Sequence, residues 1–260
     1  MTHWAFAIIA AFALGSIPFS LLVGLARGVD IRTVGSKNVG ATNLGRALGG
    51  RFFAIGFTLD TLKGFAPVLI AGLVAGVLGE VELAPADAWL WLATAAAAVL
   101  GHTFSPWVGF KGGKGVATAL GAALGLFPAL TVPGAGALVV FLVVLGLWRY
   151  VSAASVTAAV ALPAFTYLFF GQVRELVQAR AVREAEQAGP LTIEAVRIIR
   201  DRASAGVDPI PFLVVTIALG LLVIVRHKAN LARLADGTEP KVGTKAPPSA
   251  PAQAETTPPA

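Results

Sequence analysis

Three polar, basic stretches interrupt an otherwise apolar chain, and each holds residue types that bind phosphate. The first is Gly35-Ser36-Lys37-Asn38-Val39-Gly40-Ala41-Thr42-Asn43-Leu44-Gly45-Arg46. Its small residues let backbone approach a ligand, Ser36, Asn38, Thr42 and Asn43 supply hydrogen bonds, and Lys37 and Arg46 supply positive charge. The second pairs Gly101-His102-Thr103-Phe104 with Phe110-Lys111-Gly112-Gly113-Lys114-Gly115-Val116-Ala117-Thr118. Glycines and lysines directly before an apolar helix predict a nest of unpaired, outward-pointing N–H groups at a helix N-terminus, where the dipole favours an anion. The third, Arg226-His227-Lys228-Ala229-Asn230-Leu231-Ala232-Arg233-Leu234, runs on to Gly237 and Glu239. On a helix His227, Asn230 and Arg233 share one face. The plain alternatives are a topogenic loop for the first, a flexible basic turn for the second and a lipid anchor for the third.

Several other chemistries fail on spacing. A Walker A loop needs glycine where Val108 stands and Ser or Thr where Gly115 stands. A nucleophile elbow around Ser36 would need glycine in place of Val34. Five residues after His3, His102 and His227 stand Ile8, Trp107 and Ala232, so the His–Asp spacing of soluble-type glycerolipid acyltransferases is absent. With no cysteine, disulfides, thiolate metal sites and a cysteine nucleophile are excluded. Three histidines and no acidic cluster give a metal nothing to bind.

The elements that carry these stretches are apolar. Of 260 residues, 56% are hydrophobic and only 13% charged, about half the charge of a soluble domain. Mean hydropathy is +0.78. This composition predicts an all-α polytopic membrane protein. Apolar runs cover Trp4 to Leu25, Phe52 to Leu78, Ala88 to Leu100, Val116 to Trp148, Val151 to Phe170 and Pro211 to Val225. The fourth is broken by Pro128, Pro133, Gly134 and Gly136 and reads as a hairpin whose first half is short and partly re-entrant. That gives seven transmembrane helices, with the N-terminus outside and the C-terminus cytoplasmic. It also puts Arg27–Arg51, Lys111, Lys114, Arg149 and Arg226–Arg233 inside, as the positive-inside bias requires.

Asp60 and Lys63, at i and i+3 inside the second run, can pair, either to steady the bundle or to orient the polar site. Residues 1–240 form the membrane-embedded unit. Within it, residues 172–207 read as two short amphipathic helices around Gly189-Pro190, lying on the outer face, flat on the bilayer surface. Residues 241–260 read as a disordered proline-rich tail. The net charge of +6 is assigned to cytoplasmic loops and anionic substrates rather than to nucleic acid.

Together these segments resemble the bacterial acyl-phosphate:glycerol-3-phosphate acyltransferases. The likeness is carried by Gly35-Ser36-x-Asn38-x-Gly40-Ala41-Thr42-Asn43, by Gly101-His102-x-Phe104 with Phe110 to Thr118, by His227-x-x-Asn230-Leu231-x-Arg233-Leu234-x-x-Gly237-x-Glu239, and by Asp60-x-x-Lys63-Gly64. It spans about residues 3 to 241, and the 172–207 segment and the tail depart from it. The resemblance implies a multi-pass enzyme of the bacterial inner membrane, its site toward the cytoplasm. It implies acyl transfer from acyl phosphate to the sn-1 hydroxyl of glycerol 3-phosphate, giving lysophosphatidic acid and phosphate at the start of phospholipid synthesis. No cofactor, metal or obligate protein partner is implied. Carried onto this sequence, the catalytic set is Ser36, Arg46, Lys114, His227 and Asn230. Substrate contacts fall to Asn38, Thr42, Asn43, His102, Lys111, Gly112, Gly113, Gly115, Arg233 and Glu239. Gly112 to Gly115 would hold the acyl phosphate, with Lys114 reaching both phosphates. Ser36, Arg46, His227 and Asn230 would hold glycerol 3-phosphate, and the acyl chain would lie between helices among membrane lipid. The rival reading is a transporter of a small organic phosphate, which would need paired broken helices at mid-membrane; no internal repeat provides them.

Overall fold

The computed structural model describes residues 2–243, and every regular element among them is helical. In chain order the α-helices are α1 (Thr2–Ser16), α2 (Phe19–Leu25), α3 (Ala41–Leu48), α4 (Gly50–Ala75) and α5 (Pro85–Thr103). They continue with α6 (Val116–Gly125), α7 (Thr131–Trp148), α8 (Val151–Glu186), α9 (Ile193–Ala203), α10 (Ile210–Arg226) and α11 (Lys228–Ala235). Five stretches are long and apolar enough to cross a bilayer: Thr2–Leu25, Gly50–Ala75, Pro85–Val108, Thr131–Trp148 and Val151–Glu186. A sixth is the pair α10 and α11, bent by 58°.

Pro18 separates α1 from α2 because it has no N–H to continue the ladder. The carbonyl of Ile17 at this break accepts the Lys63 ammonium at 2.7 Å. Close approach of helix backbones depends on glycine. A Cβ at Gly64 would strike the Thr118 carbonyl, and one at Gly121 would strike that of Thr61, so α4 and α6 touch backbone to backbone. Asp60 and Lys63, both fully buried, pair at 2.9 Å. Asp60 also accepts the Ser20 hydroxyl at 2.8 Å, and its backbone carbonyl accepts Thr118 Oγ1 at 2.9 Å. The pair therefore ties α2, α4 and α6 together.

The expected hairpin is present as α6 and α7. With ten residues, α6 is only about 15 Å long, half the ~30 Å hydrocarbon core. Its following turn nevertheless reaches the loop between α4 and α5, where Gly79 N–H donates to the Phe127 carbonyl at 2.9 Å. That loop lies at the bundle end opposite the polar stretches. Expectation and structure differ at residues 172–207. The first half is not a separate surface helix: α8 runs for 36 residues, through Pro163 in its apolar part, and from Gln172 to Ala188 no glycine or proline stops it before Gly189-Pro190. At 1.5 Å per residue it is about 54 Å long and outruns the bilayer core, so this half projects along the span rather than lying flat. The second half is α9, capped by Thr192, which packs back on α8. Residues 241–243 of the expected tail run against the α7–α8 corner, where Val242 N–H donates to the Arg149 carbonyl at 2.8 Å. The rest of that tail lies outside the described residues.

Candidate active site

One cavity at one end of the bundle gathers most of the expected residues. Ser36, Asn38, Thr42, Asn43, Arg46, His102, Lys114, Gly115, His227, Asn230 and Glu239 all line it. The two anion sites expected separately are thus halves of one pocket, with Arg46 and Lys114 both facing it.

The Asn43 side chain organises its own loop. It accepts the Ser36 N–H at 2.9 Å and donates to the carbonyls of Ile31 and Val34 at 2.7 and 3.2 Å. Its donors and acceptor are engaged, so it holds the loop rather than a ligand. Asn38 turns the chain by accepting the Gly40 N–H at 3.1 Å. Among the described residues, the Ser36 and Thr42 hydroxyls have no protein partner.

The glycine stretch differs from the expected open nest. Gly112 and Gly113 donate their N–H groups to the carbonyls of Thr103 and His102, each at 3.1 Å. Arg226 grips their carbonyls at 2.7 and 3.2 Å. A Cβ at Gly113 would run into the His102 ring, so glycine is needed for this approach. The open donors lie further on. Gly115, at φ +85°, starts α6, and the N–H groups of Gly115, Val116 and Ala117 have no protein acceptor among the described residues. All three residues line the cavity. The anion cradle is therefore the first turn of α6 plus Lys114. Lys111 is exposed and lines no part of the cavity.

A buried chain of hydrogen bonds fixes Lys114. Its ammonium donates to Asn230 Oδ1. Asn230 Nδ2 donates to Glu239 Oε1 at 2.7 Å, and Ser152 Oγ donates to the same oxygen at 2.9 Å. Arg233 Nε donates to Glu239 Oε2 at 2.8 Å. Glu239 lies here because Gly237, at φ +69°, ends α11 and turns the chain back. Burial pushes the Glu239 carboxyl up, but hydrogen bonds from Asn230, Ser152 and Arg233 prevail and hold it below its ordinary value. Burial first, then repulsion from Arg233, Arg46 and Arg226, brings the Lys114 ammonium down to about 8 against the pull of Glu239. Arg46 is likewise lowered by burial and donates to the Pro240 carbonyl at 3.3 Å.

His227 sits at the α10–α11 bend with Nδ1 2.8 Å from the Val223 carbonyl. Nδ1 must carry the proton to make that bond, which leaves the Nε2 lone pair for the cavity. His102 packs beside Asp60, Nδ1 to Oδ1 being 3.7 Å. Arg233 acts through Glu239 rather than by lining the cavity. Asp60, expected to pair with Lys63 and steady the bundle or orient the site, lines the cavity, and two contributors were not foreseen: Ser152 and Arg226. Ser152 and Ser155 recur at i, i+3 at the start of an apolar run, a polar-facing signal that the run's length hid. Among the described residues no three His, Asp or Glu side chains converge as a metal site requires.

An apolar groove opens from this cavity, sharing Phe57, Val116, Phe141 and Ser155 with it. A polar pocket with two cationic anchors thus continues into a slot between α4, α5, α6, α7, α8 and α10.

The sequence matches the glycerol-3-phosphate acyltransferase family over residues 5–237. A glycerol-3-phosphate acyltransferase of Aquifex aeolicus is 40% identical over 237 residues, 90% of this chain and 96% of the relative. One from Trichlorobacter lovleyi is 38% identical over 93% of this chain and 98% of its own. The fold is similar to the crystal structure of PlsY (YgiH), an integral membrane glycerol 3-phosphate acyltransferase, in its glycerol 3-phosphate form. The TM-score there is 0.69 at 34% identity, over 93% of this chain and 96% of that one. Its lysophosphatidic acid form gives 0.67 at 33% identity over the same shares. The motif residues, the single cationic cavity and these likenesses agree: the chain belongs to the glycerol-3-phosphate acyltransferase family.

Proposed function

We propose that the acyl donor is an acyl phosphate and that the products are lysophosphatidic acid and inorganic phosphate. The observation that carries this reading is the single cavity with two cationic anchors and an apolar groove. Arg46 stands on α3 and Lys114 precedes α6, so one pocket offers charge to two phosphate groups at once.

In this reading the first turn of α6 and Lys114 hold the acyl phosphate, and Arg46, Ser36 and Asn230 hold glycerol 3-phosphate. The sn-1 hydroxyl oxygen attacks the acyl carbonyl carbon, and an ester bond forms. The bond from that carbon to the phosphate oxygen breaks, and phosphate leaves with its electron pair. The hydroxyl proton passes to a phosphate oxygen, since an acyl phosphate is already activated and the protein need only position and neutralise charge. The open Nε2 of His227 supports orientation of the attacking hydroxyl as a hydrogen-bond acceptor. Asn230, held by Glu239, keeps Lys114 between the two phosphates.

We read α6 and its turn as one crossing, which gives seven in all, with the N-terminus outside and the site facing the cytoplasm of a bacterial inner membrane. The basic residues at the site end favour this orientation.

The test compares donors. Purified protein in detergent receives glycerol 3-phosphate with palmitoyl phosphate or palmitoyl-CoA. Lysophosphatidic acid formed from palmitoyl phosphate alone is expected, and formation from palmitoyl-CoA alone would overturn the donor assignment. A transporter would do neither, having no compartment to fill.

A further inference from the structure

The groove has a length, and buried leucines stand at its inner end. Along α6 its lining residues step away from the site through Val116, Ala119, Ala123 and Leu126. Ten residues of helix rise span about 15 Å, which an extended chain covers in about twelve methylenes at roughly 1.25 Å each. The other walls run the same way: Ser155 to Leu162 on α8, and Val223 to Val215 on α10.

Nothing polar is free inside. The Ser155 hydroxyl donates to Val151 and that of Thr216 to Phe212, each at 2.7 Å, so the slot offers only hydrocarbon. Small residues open the outer part of the walls, with Ala119, Ala137 and Ala158 one to two turns from the mouth. The far end differs. Leu92, Leu126 and Leu130 are 0%, 1% and 3% exposed, whereas Val116 and Phe141 at the mouth are partly exposed. The three leucines belong to the main packed cluster with Phe170 and Phe212, whose rings lie 4.7 Å apart. A chain that runs down the slot along α6 therefore meets packed core at these three leucines, beside the partly exposed Leu162 and Val215.

We propose that Leu126 and Leu130, backed by Leu92, are specificity residues that set the longest acyl chain the enzyme accepts efficiently. The inference rests on the acyl-transfer reading above. The slot takes about twelve methylenes. The carbonyl and the next few carbons lie in the polar cavity, so myristoyl and palmitoyl chains fit and a stearoyl chain presses on the leucines. One methylene too many in an apolar pocket costs roughly tenfold or more in kcat/KM. Shortening Leu130 should release the block, and enlarging Ala123, two turns and about 10 Å inside the mouth, should shorten the ruler to about eight methylenes.

Two readouts test this. The first is kcat/KM for dodecanoyl, myristoyl, palmitoyl and stearoyl phosphates with wild type, Leu130→Ala and Ala123→Leu. The second is thermal stabilisation by lysophosphatidic acids of the same chain lengths, which needs no turnover and no particular donor. Wild type should decline at stearoyl. Leu130→Ala should raise the stearoyl-to-myristoyl ratio about tenfold, and Ala123→Leu should lower the palmitoyl-to-dodecanoyl ratio by a similar factor. The KM for glycerol 3-phosphate should hold in both. A flat wild-type profile, or variants that lose every chain length in parallel, would overturn the ruler. Length-dependent stabilisation without turnover of any acyl phosphate would uphold the ruler and remove only the donor assignment.

Discussion

Replacing Glu239 with Gln tests the hydrogen-bond chain behind Lys114. The carboxylate accepts from Asn230 and Ser152 on Oε1 and from Arg233 on Oε2. A glutamine can place its oxygen where Oε1 stands and keep the first two bonds. Its NH2 group then faces the Arg233 donor, and that bond is lost. Arg233 is partly exposed, so water can take its N–H, and the stability cost should be only about 1 kcal/mol. The larger consequence is electrostatic. Burial lowers the Lys114 ammonium to about 8, and Glu239 is the group that pulls it back up. Without that charge the Lys114 value falls further, and more of it is neutral at a given alkaline pH. A neutral lysine cannot balance a phosphate. Losing one charge-assisted contact of about 1.5–3 kcal/mol lowers kcat/KM roughly 10- to 100-fold where Lys114 is neutral. The assay is phosphate release in detergent from about pH 6 to 9. Wild type should lose kcat/KM through an alkaline limb near 8, and Glu239→Gln should move that limb to lower pH. A limb that stays in place, or moves up, would refute the coupling of Glu239 to Lys114.

Further outcomes follow from the same geometry. Gly113→Ala drives a methyl into the His102 ring, so it should cost more than 1 kcal/mol of stability and most activity, measured by thermal melting and phosphate release. Wild-type behaviour would mean that the ring moves freely. Asp60→Asn leaves the buried Lys63 ammonium without its counter-charge and should destabilise by about 3–5 kcal/mol; adding Lys63→Met should recover part of this. Equal melting of the single and double variants would show that the pair does not carry the packing. His227→Asn removes an acceptor for the hydroxyl but not the proposed proton acceptor, so turnover should fall about 10- to 100-fold and persist. Abolished turnover with glycerol 3-phosphate binding intact would make a side chain the base.

Much of the site was legible because its residues are polar in an apolar chain. Ser36, Arg46, Lys114, His227 and Asn230 stand out by type, and glycine beside lysine before an apolar run marks the start of α6. Which atoms of that stretch stay open was not legible. The N–H groups of Gly112 and Gly113 are taken by carbonyls of α5, contacts between residues nine and eleven apart that no local pattern encodes. Asn43 read as a ligand contact because its type suits one, yet its bonds are spent on Ile31, Val34 and Ser36. Ser152 was hidden by the apolar run that contains it, and Arg226 by a basic cluster that orientation alone explains. The hairpin of α6 and α7 was readable from Pro128 and the charge parity around it. The continuity of α8 was not legible, because a change from apolar to charged residues has the same look as the end of a membrane helix. Helix propensity is blind to that change, and only Gly189-Pro190 stops the chain.

The most direct measurement counts products. Purified protein in detergent, given palmitoyl phosphate and glycerol 3-phosphate, should release one phosphate for each lysophosphatidic acid formed, and neither product when one substrate is withheld. Lys114→Ala and Arg46→Ala should each remove both products together. Phosphate released without glycerol 3-phosphate, or no product from a folded, monodisperse preparation, would contradict the account of one cavity joining two phosphates for acyl transfer.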